Sequence, residues 1–116
     1  MGAPQEVPET PRQRLARWLA EAELDFETLQ TALGLGVRAL ERELRHVERS
    51  ARRDGQRLAV IEPRCLACGF AFVGRAARHL HPPGRCPRCR GQRMAPPRFR
   101  LFGPSAGRRR SLGPEG

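Results

Sequence analysis

Two pairs of cysteines constrain this chain more than any other feature. Cys65 and Cys68 form the first pair, Cys86 and Cys89 form the second, and seventeen residues separate the pairs. Two residues between thiols allow a tight turn that directs both sulfurs at one ion, and this spacing is typical of a zinc ribbon. Because four thiolates fill the tetrahedral shell of Zn²⁺, we expect one structural zinc ion with no open position for catalysis.

Three alternatives to this zinc site stay open at the level of the sequence. His79 and His81 lie between the cysteine pairs and are possible substitute ligands. The segment from Cys86 to Cys89 resembles the second knuckle of rubredoxins, which hold iron. A thiol–disulfide switch that releases the metal is the third. Glycine follows each knuckle closely, as Gly69 and Gly91, where we expect left-handed backbone.

The length of the chain makes a metal useful for folding. With 116 residues the chain has little apolar surface to bury, and metal binding to such a site is coupled to folding. Four cysteines without a secretory leader favour a reducing compartment over two disulfides. We therefore expect a soluble cytoplasmic protein without a membrane-spanning segment.

The charge of the chain is strongly asymmetric. The net charge is +10, and all 22 basic residues are arginine. Residues 1–62 hold 10 arginines against 11 acids, whereas residues 63–116 hold 12 arginines against Glu115 alone. Such a field favours a polyanionic partner, most often a nucleic acid.

Three amphipathic helices are predicted ahead of the cysteines. Thr10–Gln13 forms a capping box with proline at the first helical position, and this helix should end near Ala22. Asp25 is the expected cap of a second helix that Gly34 ends. A third helix should span about 37–52, so the order is that of a helix-turn-helix.

Short strands are predicted after the helices, at 57–62, 70–73, 90–94 and 98–102. The last strand should pair either within the ribbon or with residues 58–61. The fold class is therefore α+β, with a three-helix (winged) helix-turn-helix followed by a small β zinc ribbon. The predicted division is a disordered leader at 1–9, the winged-helix domain at 10–62, the four-cysteine ribbon at 63–102, and a flexible arginine-containing tail at 103–116.

Arginines of the third helix are the candidate nucleic-acid ligands. In a helix-turn-helix this helix lies in the major groove, so its early residues meet base edges and the later ones meet phosphates. The candidates for base or backbone contact are Arg38, Arg42 and Arg45, and those for phosphate contact are Arg49, Arg52, Arg53 and Arg57. Glu41 and Glu48 support a different interpretation, in which the same arginines form a solvated face of a plain three-helix bundle.

From Thr10 to Phe102 the chain resembles a family of predicted prokaryotic transcriptional regulators, in which a helix-turn-helix is fused to a carboxy-terminal zinc ribbon. The resemblance rests on the capped first helix, the Leu33-Gly34-Leu35 turn, Glu62-Pro63-Arg64-Cys65, Cys68-Gly69-Phe70 and Pro97-Arg98-Phe99-Arg100. It implies binding to double-stranded DNA. We found no pattern of an enzyme and no evident small-molecule substrate, and the oligomeric state stays open. The alternative functions are an interaction module for RNA polymerase or another transcription or translation component, and RNA binding.

Overall fold

The computed structural model describes residues 8–103. Most of the leader and all but the first residue of the predicted tail, with Arg108, Arg109 and Arg110, lie outside this range. The elements in chain order are α1 (Pro11–Glu21), β1 (Leu24–Asp25), α2 (Phe26–Leu33), α3 (Val37–Arg53), β2 (Arg57–Ile61), β3 (Arg64–Cys65), a single 3-10 turn (Arg75–Ala77), β4 (Met94–Ala95) and β5 (Arg98–Phe102). The α+β prediction is confirmed.

The first two helices begin at the predicted caps, whereas Gly36 at the start of α3 makes no side-chain cap hydrogen bond. The Thr10 side chain accepts from the Gln13 N–H while the Gln13 side chain accepts from the Thr10 N–H, which completes the capping box. Asp25 accepts from the N–H of Thr28 at the start of α2, and Gly34 ends that helix in the left-handed conformation, with φ of 68°. Each boundary depends on contacts within four residues.

The last strand completes the sheet of the helical half. β5 lies between β1 and β2 and is antiparallel to both. Its pairing with β2 runs from Arg57 opposite Phe102 to Ile61 opposite Arg98. Of the two pairings left open for 98–102, the one with 58–61 is therefore observed. The predicted boundary after residue 62 does not separate the strands of the larger sheet from the rest of the chain. Residues 62–97 leave this sheet after β2, and the chain returns to it at β5.

Two of the predicted ribbon strands are shorter than expected. Residues 70–73 contribute only one bridge, between Ala71 and Arg64, and Gly74 then turns the chain with φ of 82°. In the segment 90–94 only Met94 is in a strand, and with Ala95 it forms β4, which pairs with β3. The residues before it belong to the second knuckle.

A single apolar core joins the helices, the larger sheet and one residue of the segment 62–97. Leucines on all three helices, Phe26 and Phe99 are fully buried, and the rings of Phe26 and Phe99 lie 6.3 Å apart. Leu80 reaches the same core from the 62–97 segment and is also fully buried. Trp18 of α1 packs against this core and is partly buried. Within residues 8–103, no helix has the length and apolarity needed to cross a membrane.

Candidate metal centre and adjoining arginine surface

The four cysteine sulfurs form one cluster. The Sγ atoms of Cys65 and Cys89 lie 3.6 Å apart, and those of Cys68 and Cys86 lie 3.7 Å apart. Ligands at the zinc–sulfur bond length of about 2.3 Å stand about 3.8 Å apart at the corners of a tetrahedron. A disulfide requires about 2.05 Å. The cluster therefore has the dimensions of a four-thiolate metal site, and all four thiols are free.

The two knuckles have the same backbone hydrogen bonds. Cys65 N–H donates to the carbonyl of Phe70 and Cys86 N–H donates to that of Gly91, five residues on in each case. The carbonyl of each of these cysteines then accepts from the residue four positions later. This repetition places two sulfurs from each loop on opposite sides of a common centre. β3 and β4 hold the loops together through only two residue pairs.

The electrostatics of the cluster favour a cation. Hydrogen bonds from the backbone N–H groups of Cys68 and Ala67 lower the pKa of the Cys65 thiol to about 6. The N–H of Phe70 favours the Cys68 thiolate, but desolvation and the neighbouring sulfurs outweigh it and raise the pKa of Cys68 to about 11. Four thiols this close together therefore do not all ionise alone, whereas a divalent cation stabilises all four thiolates.

The glycines beside the knuckles have two different roles. Gly69 has φ of 82°, as predicted. At the second knuckle, the left-handed residue is Arg90, with φ of 66°, and Gly91 is not. A Cβ atom on Gly91 would lie 3.3 Å from the Cys89 sulfur, so glycine here allows the backbone N–H to approach that sulfur, at 3.4 Å. The left-handed backbone expected at Gly91 was therefore wrong.

The segment between the knuckles docks on α3. Leu80 enters the core, and its N–H donates to the carboxylate of Glu41 together with the N–H and the ring of His81. Partial burial raises the pKa of Glu41, but these donors outweigh it and hold the pKa below its ordinary value. Glu41 is thus a docking residue, whereas the sequence suggested a member of a solvated face.

Arg45 holds the same segment from one turn further along α3. Its guanidinium donates to the carbonyl of Ala76 at 2.8 Å and pairs with Glu48 at 3.2 Å. The N–H of Ala76 in turn donates to Glu62 at 3.1 Å. Arg45 was predicted to contact nucleic acid, and in the structure its half-buried side chain joins α3 to the 3-10 turn.

Replacing Glu41 with alanine should loosen this docking. The N–H groups of Leu80 and His81 would lose their acceptor in a partly buried place, which costs about 1–3 kcal/mol of unfolding free energy. Urea unfolding of the metal-loaded protein measures this. Glu43→Ala is the matched control, because Glu43 only pairs with the exposed Arg12 and should change stability by about 1 kcal/mol or less. Equal losses in the two variants would contradict the docking role of Glu41.

Five arginines of α3 form a stripe directed away from the core. Their spacing of i, i+4, i+7, i+11 and i+14 places them on one helix face, opposite the buried Leu40, Leu44, Val47 and Ala51. We call these residues the arginine stripe: Arg38, Arg42, Arg45, Arg49 and Arg52. All except Arg45 are exposed. Among residues 8–103, Arg38 and Arg42 have no ion-pair partner within 4 Å.

Two open clefts extend the stripe to its sides. One, of about 630 Å³, lies between α3, β2 and the 3-10 turn, and it brings Arg57 to Arg45 and Arg52. The other, of about 350 Å³, is lined by Arg38, Glu41, Arg42, Arg45 and Arg78. The remaining predicted residue, Arg53, is exposed at the end of α3, beside Ser50. Sequence reasoning missed Arg78, since only the docking of residues 75–81 brings it to α3.

Comparison with known proteins gives a structural relative. No family model matches the chain, and no curated protein matches it at a significant level. The chain is similar to protein PF0610 from Pyrococcus furiosus, whose structure was solved in solution by NMR. The TM-score is 0.69 at 25% sequence identity, over 88% of this chain and 100% of that one. The fold of this chain is therefore similar to that of the Pyrococcus furiosus protein along the whole length of that protein.

Proposed function

We propose that this protein is a DNA-binding transcriptional regulator with a structural zinc ion. The observation that supports it best is the arginine stripe, which runs along the exposed face of the helix that follows a tight helix–helix turn. Its length, from Arg38 to Arg52, is about 21 Å at 1.5 Å per residue. That is long enough to follow the major groove over about six base pairs at roughly 3.4 Å each.

The elements around α3 support a winged helix-turn-helix. Gly34 ends α2, only three residues separate α2 from α3, and the antiparallel strands β2 and β5 follow beside α3. In a winged helix-turn-helix the third helix enters the groove and the strand pair lies against the DNA backbone, so we expect Arg57 to contact phosphate. The ribbon is then inserted between the two strands of the wing.

Zinc is the metal that we propose for the cysteine cluster. A tetrahedral set of four sulfurs suits zinc or iron, and a closed zinc site has no redox chemistry. Its role would be to fold residues 62–97 so that Arg78 reaches α3. Metal analysis of protein purified without added metal tests this. A colourless protein with one zinc is expected, whereas a coloured iron–thiolate protein would contradict zinc.

The stripe should bind duplex DNA with a strong dependence on salt. Each arginine that neutralises a phosphate releases a counterion, so the logarithm of the binding constant should fall linearly with the logarithm of salt concentration. Arg49→Ala should reduce that slope by about 1 and weaken binding to all sequences alike. Fluorescence anisotropy of labelled duplexes over a series of salt concentrations measures both quantities.

Arg17→Ala is the control for this experiment. Arg17 is an exposed arginine of α1 that pairs with Glu9, so its loss changes the net charge by the same amount away from the stripe. Its slope should stay that of the unmodified protein. Absence of duplex binding at low salt with zinc present would refute the proposal. Tighter binding to structured RNA than to duplex DNA would favour the RNA alternative.

A further inference from the structure

A second cluster of metal-ligating side chains lies where the ribbon docks on α3. It contains Glu41, His79 and His81, whose ligand atoms all lie within 4.8 Å of one another. The two histidines flank Leu80 in the sequence. With the leucine side chain fixed in the core, both imidazoles are brought to the Glu41 carboxylate, and their rings lie 5.1 Å apart.

The spacing within this cluster suits one metal ion. Nδ1 of His81 is 3.1 Å from Oε2 of Glu41. Two ligands that each lie about 2.1 Å from a metal stand about 3.0–3.4 Å apart, depending on whether the geometry is octahedral or tetrahedral. Small side-chain rotations bring the exposed His79 ring to the same centre, since its ligand atom is already within 4.8 Å of the other two.

We propose that Glu41, His79 and His81 form a second binding site, for a divalent transition metal such as zinc, nickel or copper. Imidazole and carboxylate are ligands that these ions accept. Three protein ligands leave coordination positions for water, so the ion should exchange readily. Arg38, Arg42, Arg45 and Arg78 lie around Glu41 and oppose a cation. The affinity is therefore well below that of the four-cysteine site.

Metal at this site would connect α3 to the ribbon directly. Glu41 belongs to α3, whereas both histidines belong to the segment between the knuckles. A bound ion replaces the Glu41–His81 hydrogen bond with metal–ligand bonds and orders the exposed His79 ring. The segment that presents Arg78 to the arginine stripe is then held more firmly.

Calorimetric titration with Zn²⁺ of protein whose cysteine site is already loaded tests this site. The unmodified protein should bind a second, weaker equivalent. His79→Ala should lose this second equivalent. Loss of a residue that only hydrogen-bonds to a metal ligand already lowers metal affinity about 10–100-fold, and loss of a ligand itself should lower it further. His46→Ala is the matched control, since His46 lies on α3 beside Arg49 and outside the cluster. This variant should still bind the second equivalent.

Two outcomes of the titration would overturn the second site. One is that the unmodified protein, with its cysteine site loaded, takes up no further zinc. The other is a second equivalent that His79→Ala retains or His46→Ala loses. Proton NMR with added paramagnetic Ni²⁺ gives a reading without any substitution. The ring signals of His79 and His81 should broaden before those of His46, and broadening of all three together would also overturn the site.

Discussion

Phe99→Ala should lower the unfolding free energy by about 3–5 kcal/mol, the cost of truncating a fully buried phenylalanine. Phe99 is the second residue of β5 and lies opposite Leu24 of β1 on one side and Val60 of β2 on the other. Its ring also packs near the ring of Phe26 at the start of α2, with 6.3 Å between the ring centroids. The cavity would therefore open where three strands and the helices meet, and thermal and urea unfolding measure the loss.

Phe102→Ala is the matched control on the same strand. Its ring is 47% exposed and lies under the Arg100 guanidinium, whose central carbon is 5.5 Å from the ring centroid. Loss of that contact should cost about 1 kcal/mol or less. If Phe99→Ala destabilised the protein no more than Phe102→Ala, β5 would not be the central strand of the sheet.

Cys86→Ser should abolish stable metal binding at the cysteine cluster. Cys86 is fully buried, and its sulfur accepts from the N–H groups of Arg88 and Cys89, so the backbone of the second knuckle is arranged around this sulfur. The β3–β4 pair is only two residues long, so the knuckles depend on the metal. Hydrogen exchange should show loss of protection at the knuckle amides, while α1 and β5 stay protected.

The expected survival of the helical half follows from its own contacts. β2 and β5 pair along five residues, and a longer flexible connection between them adds little loop entropy. Arg88→Ser is the control, because Arg88 is an exposed residue between two ligands and the variant should stay metal-loaded. Loss of protection throughout the chain, or retention of metal by Cys86→Ser, would show that the two parts are coupled differently.

Features encoded over short stretches of sequence were predictable. The helices follow from caps such as Thr10 and Asp25, since a cap acts through neighbours at most four residues away. The cysteine cluster follows from the two-residue spacing within each pair. Both kinds of signal are local, and their outcome depends little on how the rest of the chain is arranged.

Contacts between distant residues were not predictable. Glu41 meets Leu80 across 39 residues, and Arg45 meets Ala76 across 31. Glu41 and Arg45 are spaced along α3 like charged residues that only face solvent. Nothing in the neighbouring sequence therefore distinguishes these docking residues from solvent-exposed charges. The docking in turn explains why Arg78 was missed and why Arg45 is a poor residue with which to test DNA binding. Its replacement would undock the ribbon as well as remove a charge.

Selection from a pool of random duplexes by the zinc-loaded protein tests most directly whether the arginine stripe reads duplex DNA. We expect the pool to converge on a motif. Arg42→Ala, which alters an exposed residue near the start of α3, should lose preference at part of that motif by about 1–3 kcal/mol while keeping salt-dependent binding. A pool that stays random through repeated rounds at low salt would show that the stripe does not read DNA sequence.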